Sequence, residues 1–100
     1  MTNTIALVRH RVDDFDAWRK VYAGFAPIQA EHGVRAHQVL RSIDNPHDVI
    51  VTHAFDSGEA AREFFAMPEL KETMSSAGVN ADSVEISYFE EVEAGTLVGA

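Results

Sequence analysis

Five histidines are the side chains of this 100-residue chain best suited to moving protons near neutrality. Two of them, His10 and His53, lie in apolar, β-branched runs, NTIALVRHRV and DVIVTHAF. An offset of 43 carries Ala6, Val8, His10 and Val12 onto Val49, Val51, His53 and Phe55. Taken as parallel neighbours, the two strands bring His10 and His53 side by side near their C-terminal ends. As catalytic candidates, one would remove a proton from a phenol or an acidic C–H, and the other would steady the oxyanion that forms. The plainer alternative is two histidines packed at a strand end. His37 is a candidate substrate contact; with His10 and His53 it would make three imidazoles, enough for zinc or ferrous iron, but no tight ligand spacing supports a metal and none is expected. His32 and His47 fall at a helix end and in a turn, where surface positions are expected.

Aromatic residues supply the second set of candidates. Phe15, Trp18, Tyr22 and Phe25 recur at steps of 3, 4 and 3, one face of a helix. Trp18, Tyr22 and Phe25 either fill a core or line a pocket for an aromatic ligand, with the indole N–H or phenol O–H as a handle. Phe64, Phe65 and Met67 pose the same choice from a later helix, and Tyr88 is a further candidate acid. Arg9, Arg11, Arg35 and Arg41 are either strand surface or anchors for a carboxylate at a pocket mouth. Asp13-Asp14 and Glu90-Glu91 are adjacent and point different ways, so they suit caps and solvent rather than a carboxylate dyad. There is no cysteine, hence no thiolate chemistry, and no glycine-rich phosphate loop or Gly-x-Ser-x-Gly turn.

These candidates need elements to hold them. Asn3 to Val12 reads as a strand, and Asp13 with Asp16 as the acidic start of a helix. Pro27 should kink or break that helix, and Gly33 should end it. Val34 to Ile43 is a second strand, Asp44 to His47 a turn, and Asp48 to Phe55 a third strand. Asp56 with Glu59 opens another helix whose Ala61, Phe64 and Phe65 face inward. Pro68 begins a further helical segment carrying Leu70 and Met74, which stops at Gly78. Ser83 to Val92 is a fourth strand, and residues 93–100 are a tail. The order β-α-β-β-α-β predicts one α+β domain over residues 1–92, a ferredoxin-like four-stranded antiparallel sheet with helices on one face.

Both faces of that sheet are apolar. The sets Val39/Ile43 and Val84/Ile86/Tyr88 are assigned to the helices, leaving Leu40 and Phe89 among the apolar groups on the other side. Two helices cannot cover both faces, so a homodimer with packed sheets is expected. A formal charge of −8, from 8 Lys+Arg and 16 Asp+Glu, argues against nucleic acid or an anionic membrane as partner. Six of the eight basic residues lie within residues 1–41. The start of the chain lacks a basic leader and no apolar run approaches a membrane span, which favours a cytoplasmic protein.

The stretch from Val8 to Trp18 (VRHRVDDFDAW), the later AFDSGEAA from Ala54 to Ala61, and Met67-Pro68-Glu69-Leu70-Lys71 resemble the dimeric α/β-barrel superfamily over roughly residues 4–92. The branch it most resembles is that of the antibiotic-biosynthesis-monooxygenase-like proteins, including short actinobacterial proteins of cyclase type. The resemblance implies a homodimeric barrel with a pocket between sheet and helices in each subunit. It also implies cofactor-independent monooxygenase or cyclase chemistry on a small aromatic or polyketide-like molecule, or else a non-catalytic binding module on the same scaffold. A heme-degrading branch is also similar, but it places an iron-ligating histidine where this chain has Met74, so no heme is expected. The aromatic which that branch carries at the end of the third strand corresponds to Phe55. Phe55 is therefore included with His37, Trp18, Tyr22, Phe25, Phe65 and Tyr88 as a candidate substrate contact, beside His10 and His53 as the catalytic pair.

Overall fold

The computed structural model describes residues 3–97. Its elements run β1 (Thr4–Arg11), α1 (Phe15–Gly24), α2 (Ala26–Glu31), β2 (Ala36–Arg41), β3 (Asp48–Phe55), α3 (Gly58–Phe65), α4 (Pro68–Ser76), a 3-10 turn (Ala81–Ser83) and β4 (Glu85–Glu90). The strands form one sheet in the order β2-β3-β1-β4, with every neighbouring pair antiparallel. This is the ferredoxin-like arrangement. Of the expected tail, residues 93–97 carry no helix or strand, and 98–100 lie outside the described residues.

The antiparallel pairing of β1 with β3 corrects the parallel placement expected from the 43-residue offset. The β2–β3 hairpin reverses the chain, so β3 returns between β1 and β2 against both. His10 therefore pairs with Val49, and His53 with Ala6. The two histidines keep the same face of the sheet but are separated by the Val8–Val51 pair.

Two caps also differ from expectation. Asp14, not Asp13, is the extended N-cap of α1 and accepts from the Ala17 N–H. Ser57 caps α3 by accepting from the Ala60 N–H, while Asp56 pairs with Arg35 instead. Both elected residues stand three before the N–H they bind, the spacing a short side-chain oxygen can span.

Each expected helix is in two pieces. α1 ends at Gly24 and α2 restarts with Pro27 in its first turn, where the missing N–H breaks no helical bond. Met67, before Pro68, is extended (φ −67°, ψ 127°), which separates α3 from α4. Gly33 and Gly78 end α2 and α4 at φ +95° and +80°, a region side chains disfavour. At both stops the next N–H folds back five residues, Val34 to the Gln29 carbonyl and Val79 to the Met74 carbonyl.

The helices bury two apolar clusters against the sheet. Phe25, Phe55, Ala61, Phe64 and Leu70 fill one end, and Val12, Trp18, Val49, Val51 and Ala77 the other. Full burial of Phe55 or Phe64 is worth about 1.5–3 kcal/mol. Ile43, assigned above to the helix face, is fully exposed because β2 ends at Arg41 and the residue falls in the following turn. The opposite face of the sheet carries Ile5, Leu7, Ile50, Leu40 and Phe89 with no helix over it; Leu40 and Phe89 are 48% and 54% exposed.

Candidate functional site

Register sorts the helix-facing side of the sheet into cross-strand rows. His37, His53, Ala6 and Tyr88 form one; Val39, Val51, Val8 and Ile86 the next; Arg41, Val49 and His10 the third. His53 thus has His37, not His10, as its direct neighbour. Above the rows, the α1 stripe lies as a file of rings. Trp18 sits 5.6 Å from the His10 ring and stacks on Tyr22 at 5.0 Å, and Tyr22 in turn stacks on His53 at 6.2 Å. On its other side His53 stacks on Phe65 at 5.9 Å and meets the edge of Phe64.

Where the two core clusters meet, a cavity of about 50 Å³ remains. It is lined from the sheet by Val8, His10, Val51 and His53, and from the helices by Trp18, Tyr22, Phe25, Gln29, Phe65, Leu70, Thr73 and Met74, among others. The cavity thus joins His10, His53, Trp18, Tyr22, Phe25 and Phe65 of the sequence candidates. His37 does not line it but is hydrogen-bonded to Tyr22. Phe55 is core behind the cavity, packed on Phe64 and Phe65, and does not line it. Tyr88 is also outside: it touches Phe65 and lies under the Arg62 guanidinium, 4.4 Å from its ring centre. Arg9 and Arg35 are held at the surface by Asp48 and Asp56, and Arg41 lies over the Phe15 ring.

Polar groups in this apolar setting are few and interlocked. The Tyr22 hydroxyl lies 2.9 Å from His37 Nδ1 and 3.1 Å from His53 Nε2. His53 is 4% exposed and His10 is 3% exposed, and the Nδ1 of each is buried without a hydrogen-bond partner among the described residues. Burial, and then the nearby His37 charge, push the His53 imidazole down to about 4, so it is neutral over the physiological range. Burial also lowers His10, partly offset by the Val8 backbone and the Asp48 carboxylate. The Tyr22 hydroxyl is raised by burial, with Gln29 opposing. Among the described residues no three His, Cys, Asp or Glu side chains gather as a metal site.

Gln29 was not among the candidates, although it is 6% exposed and lines the cavity. The signal was present: it continues the stripe Phe15, Trp18, Tyr22, Phe25 by one more step of four, across the helix break. Met74 and Thr73 were likewise unpicked; their place in the wall depends on how α4 folds back after Pro68.

A ferredoxin-like sheet with an apolar, histidine-lined cavity beneath its helices defines the class of this protein. Its family follows from the sequence: residues 1–76 match the model of the antibiotic biosynthesis monooxygenases, and the chain belongs to that family. No curated protein matches it in sequence. Among solved structures it is similar to SnoaB, a cofactor-independent oxygenase from Streptomyces nogalater, with a TM-score of 0.68 and 18% identity over 98% of this chain and 99% of that one. A protein of unknown function from Nitrosomonas europaea gives 0.72 and 21% identity over 99% and 98% of the two chains. A dimeric ferredoxin-like protein from an uncultured marine organism gives 0.63 and 11% over 97% and 94%. At such identities the likeness is one of fold. Among the described residues no helix is long and apolar enough to cross a membrane.

Proposed function

We propose that this protein is a cofactor-independent monooxygenase acting on a small aromatic or polyketide-like molecule, with His53 as general base and His10 as a second proton-handling group. The observation that carries this reading is the buried, unpartnered Nδ1 of His53, a neutral imidazole in the wall of an aromatic cavity. Such a base suits a substrate with an acidic methylene between aromatic rings. His53 takes one C–H proton, and the carbanion forms a C–O bond to O₂. With a proton returned, the product is a hydroperoxide. Loss of the second C–H hydrogen and cleavage of O–O then leave C=O and one water. Dioxygen takes up four electrons, all from the carbon, so no other reductant is needed. The same base and cavity suit a cyclase, in which the carbanion attacks a carbonyl of its own chain.

A cavity of about 50 Å³ holds about three waters and falls below the roughly 300 Å³ of a ligand pocket. Phe65, Leu70 and Met74 separate it from an outer groove of about 660 Å³ between α4 and β4, to which all three also contribute. A substrate of ordinary size therefore requires the cavity to enlarge, and this shared wall is where it meets the larger space. The small volume of the cavity also favours a second reading, a non-catalytic small-ligand-binding module.

Turnover of a panel of anthrones and quinols under air separates the two. On the enzyme reading the wild type oxidises at least one of them, and His53→Ala, confirmed folded, loses about 10²-fold or more. Full activity in both His53→Ala and His10→Ala would remove these residues from the mechanism. Saturable binding without turnover would favour the module. The uncovered apolar sheet face supports assembly as a homodimer through the sheets.

A further inference from the structure

We propose that His53, Tyr22 and His37 form a directed proton relay linking the buried Nδ1 of His53 to solvent at the edge strand β2. The inference rests on the reading of His53 as base, but its geometry stands apart from any substrate. A phenol hydroxyl has one proton to give and lone pairs to accept. Tyr22 oxygen lies within hydrogen-bond reach of two imidazole nitrogens, so it donates to one and accepts from the other.

The orphaned nitrogen sets the direction. His53 Nδ1 is buried with no partner among the described residues. A buried N–H donor left unpaired is costly and rare, whereas a bare lone pair in an apolar wall is tolerated more readily. His53 therefore carries its proton on Nε2 and donates it to Tyr22 oxygen. Tyr22 donates in turn to His37 Nδ1, which leaves the His37 proton on Nε2. His37 itself is exposed, on β2 at the edge of the sheet.

The consequence is a wire with its free lone pair at the buried end. When Nδ1 of His53 takes a proton, its Nε2 proton passes to Tyr22, the phenolic proton passes to His37 Nδ1, and the His37 Nε2 proton leaves to water. Each of the three side chains gains one proton and loses one, so no buried charge persists. Run backward, the relay returns a proton to the cavity and restores the first arrangement. His10 is the other titratable group lining the cavity, and the Val8–Val51 pair separates it from this chain of bonds. Tyr22 and His37 are positioning residues here, because they act through His53.

Nitrogen-15 NMR of the imidazole rings tests the relay without a substrate. In the wild type at neutral pH, His53 is expected as the Nε2–H tautomer and His37 with a hydrogen-bonded, unprotonated Nδ1. In Tyr22→Phe both signatures should be lost while the backbone spectrum stays folded. An Nδ1–H tautomer of His53 in the wild type would overturn the proposal. With an oxidisable anthrone, His37→Ala should slow turnover about tenfold, less than the roughly 10²-fold loss for removing a base. Added free imidazole should restore the rate, which a merely structural role would not allow. An unslowed His37→Ala, or a slowed one that imidazole does not rescue, would end the relay while leaving His53 as the base. An inactive wild type with the expected tautomers would instead remove the oxygenase reading and keep the hydrogen-bonded chain.

Discussion

His37 and His53 face each other across the β2–β3 ladder, and the Tyr22 hydroxyl bridges their rings at 2.9 and 3.1 Å. This ties the buried imidazole to the sheet edge rather than to His10. His10 and His53 share a cavity but no hydrogen bond. Any division of acid and base work between them must pass through a substrate that spans the Val8–Val51 row.

Protein stability should fall in mild acid. The folded state holds His53 neutral down to about 4, whereas an unfolded chain takes up its proton near 6.5. The unfolded state thus binds more protons between these values. The stabilisation is fully present above pH 6.5 and is lost as pH falls towards about 4, by about 3 kcal/mol. Burial lowers His10 too, which acts in the same sense. Urea titrations at a series of pH values should show this slope, and His53→Phe should flatten it.

Opening the wall between cavity and groove should widen what can bind. Met74 is half-buried and faces both spaces, so Met74→Ala should join them. The expected cost is at or below about 2 kcal/mol, the lower end for such truncations. Affinity for polycyclic aromatic ligands should rise in fluorescence or calorimetric titrations. Unchanged binding would place the entry route elsewhere.

The uncovered sheet face predicts a specific assembly phenotype. Leu40 and Phe89 stand exposed on that face beside Ile50 and Ile5. Light scattering at micromolar concentration should give the wild type about twice the 11.0 kDa mass of one chain. Leu40→Glu with Phe89→Glu should give the single-chain mass with the helical signal retained. A wild type that scatters as one chain would refute packing through this face.

Capping chemistry gives a sharper local test. Asp14→Ala should cost about 1 kcal/mol because it removes the acceptor for the Ala17 N–H. Ser57→Ala should cost a similar amount at α3. Asp13→Ala and Asp56→Ala should each cost less in thermal or urea unfolding, since neither caps a helix.

Much of the architecture followed from local chemistry. The strand runs, the breaks at Pro27 and Pro68 and the stops at Gly33 and Gly78 each depend on a residue's own φ preference or missing donor. The alternation of Val49, Val51, His53 and Phe55 placed His53 on the helix face because side-chain direction in a strand has a period of two. The aromatic stripe of α1 likewise placed Trp18, Tyr22 and Phe25 together.

What sequence could not carry was pairing. Whether β3 runs with or against β1 depends on the whole chain path, and the 43-residue offset suggested the right neighbour in the wrong direction. A strand's partner contributes nothing to its local pattern, so the His37–His53 row became visible only in the sheet. Gln29 and Met74 entered the cavity wall through the way α2 and α4 fold back. Phe55 and Tyr88 left it because the packing of Phe64 and Phe65, not residue type, decides which aromatics meet open space. By itself the sequence determined which residues could do chemistry and which face they share; tertiary structure decided which of them touch, because contact between distant segments is set by register and packing.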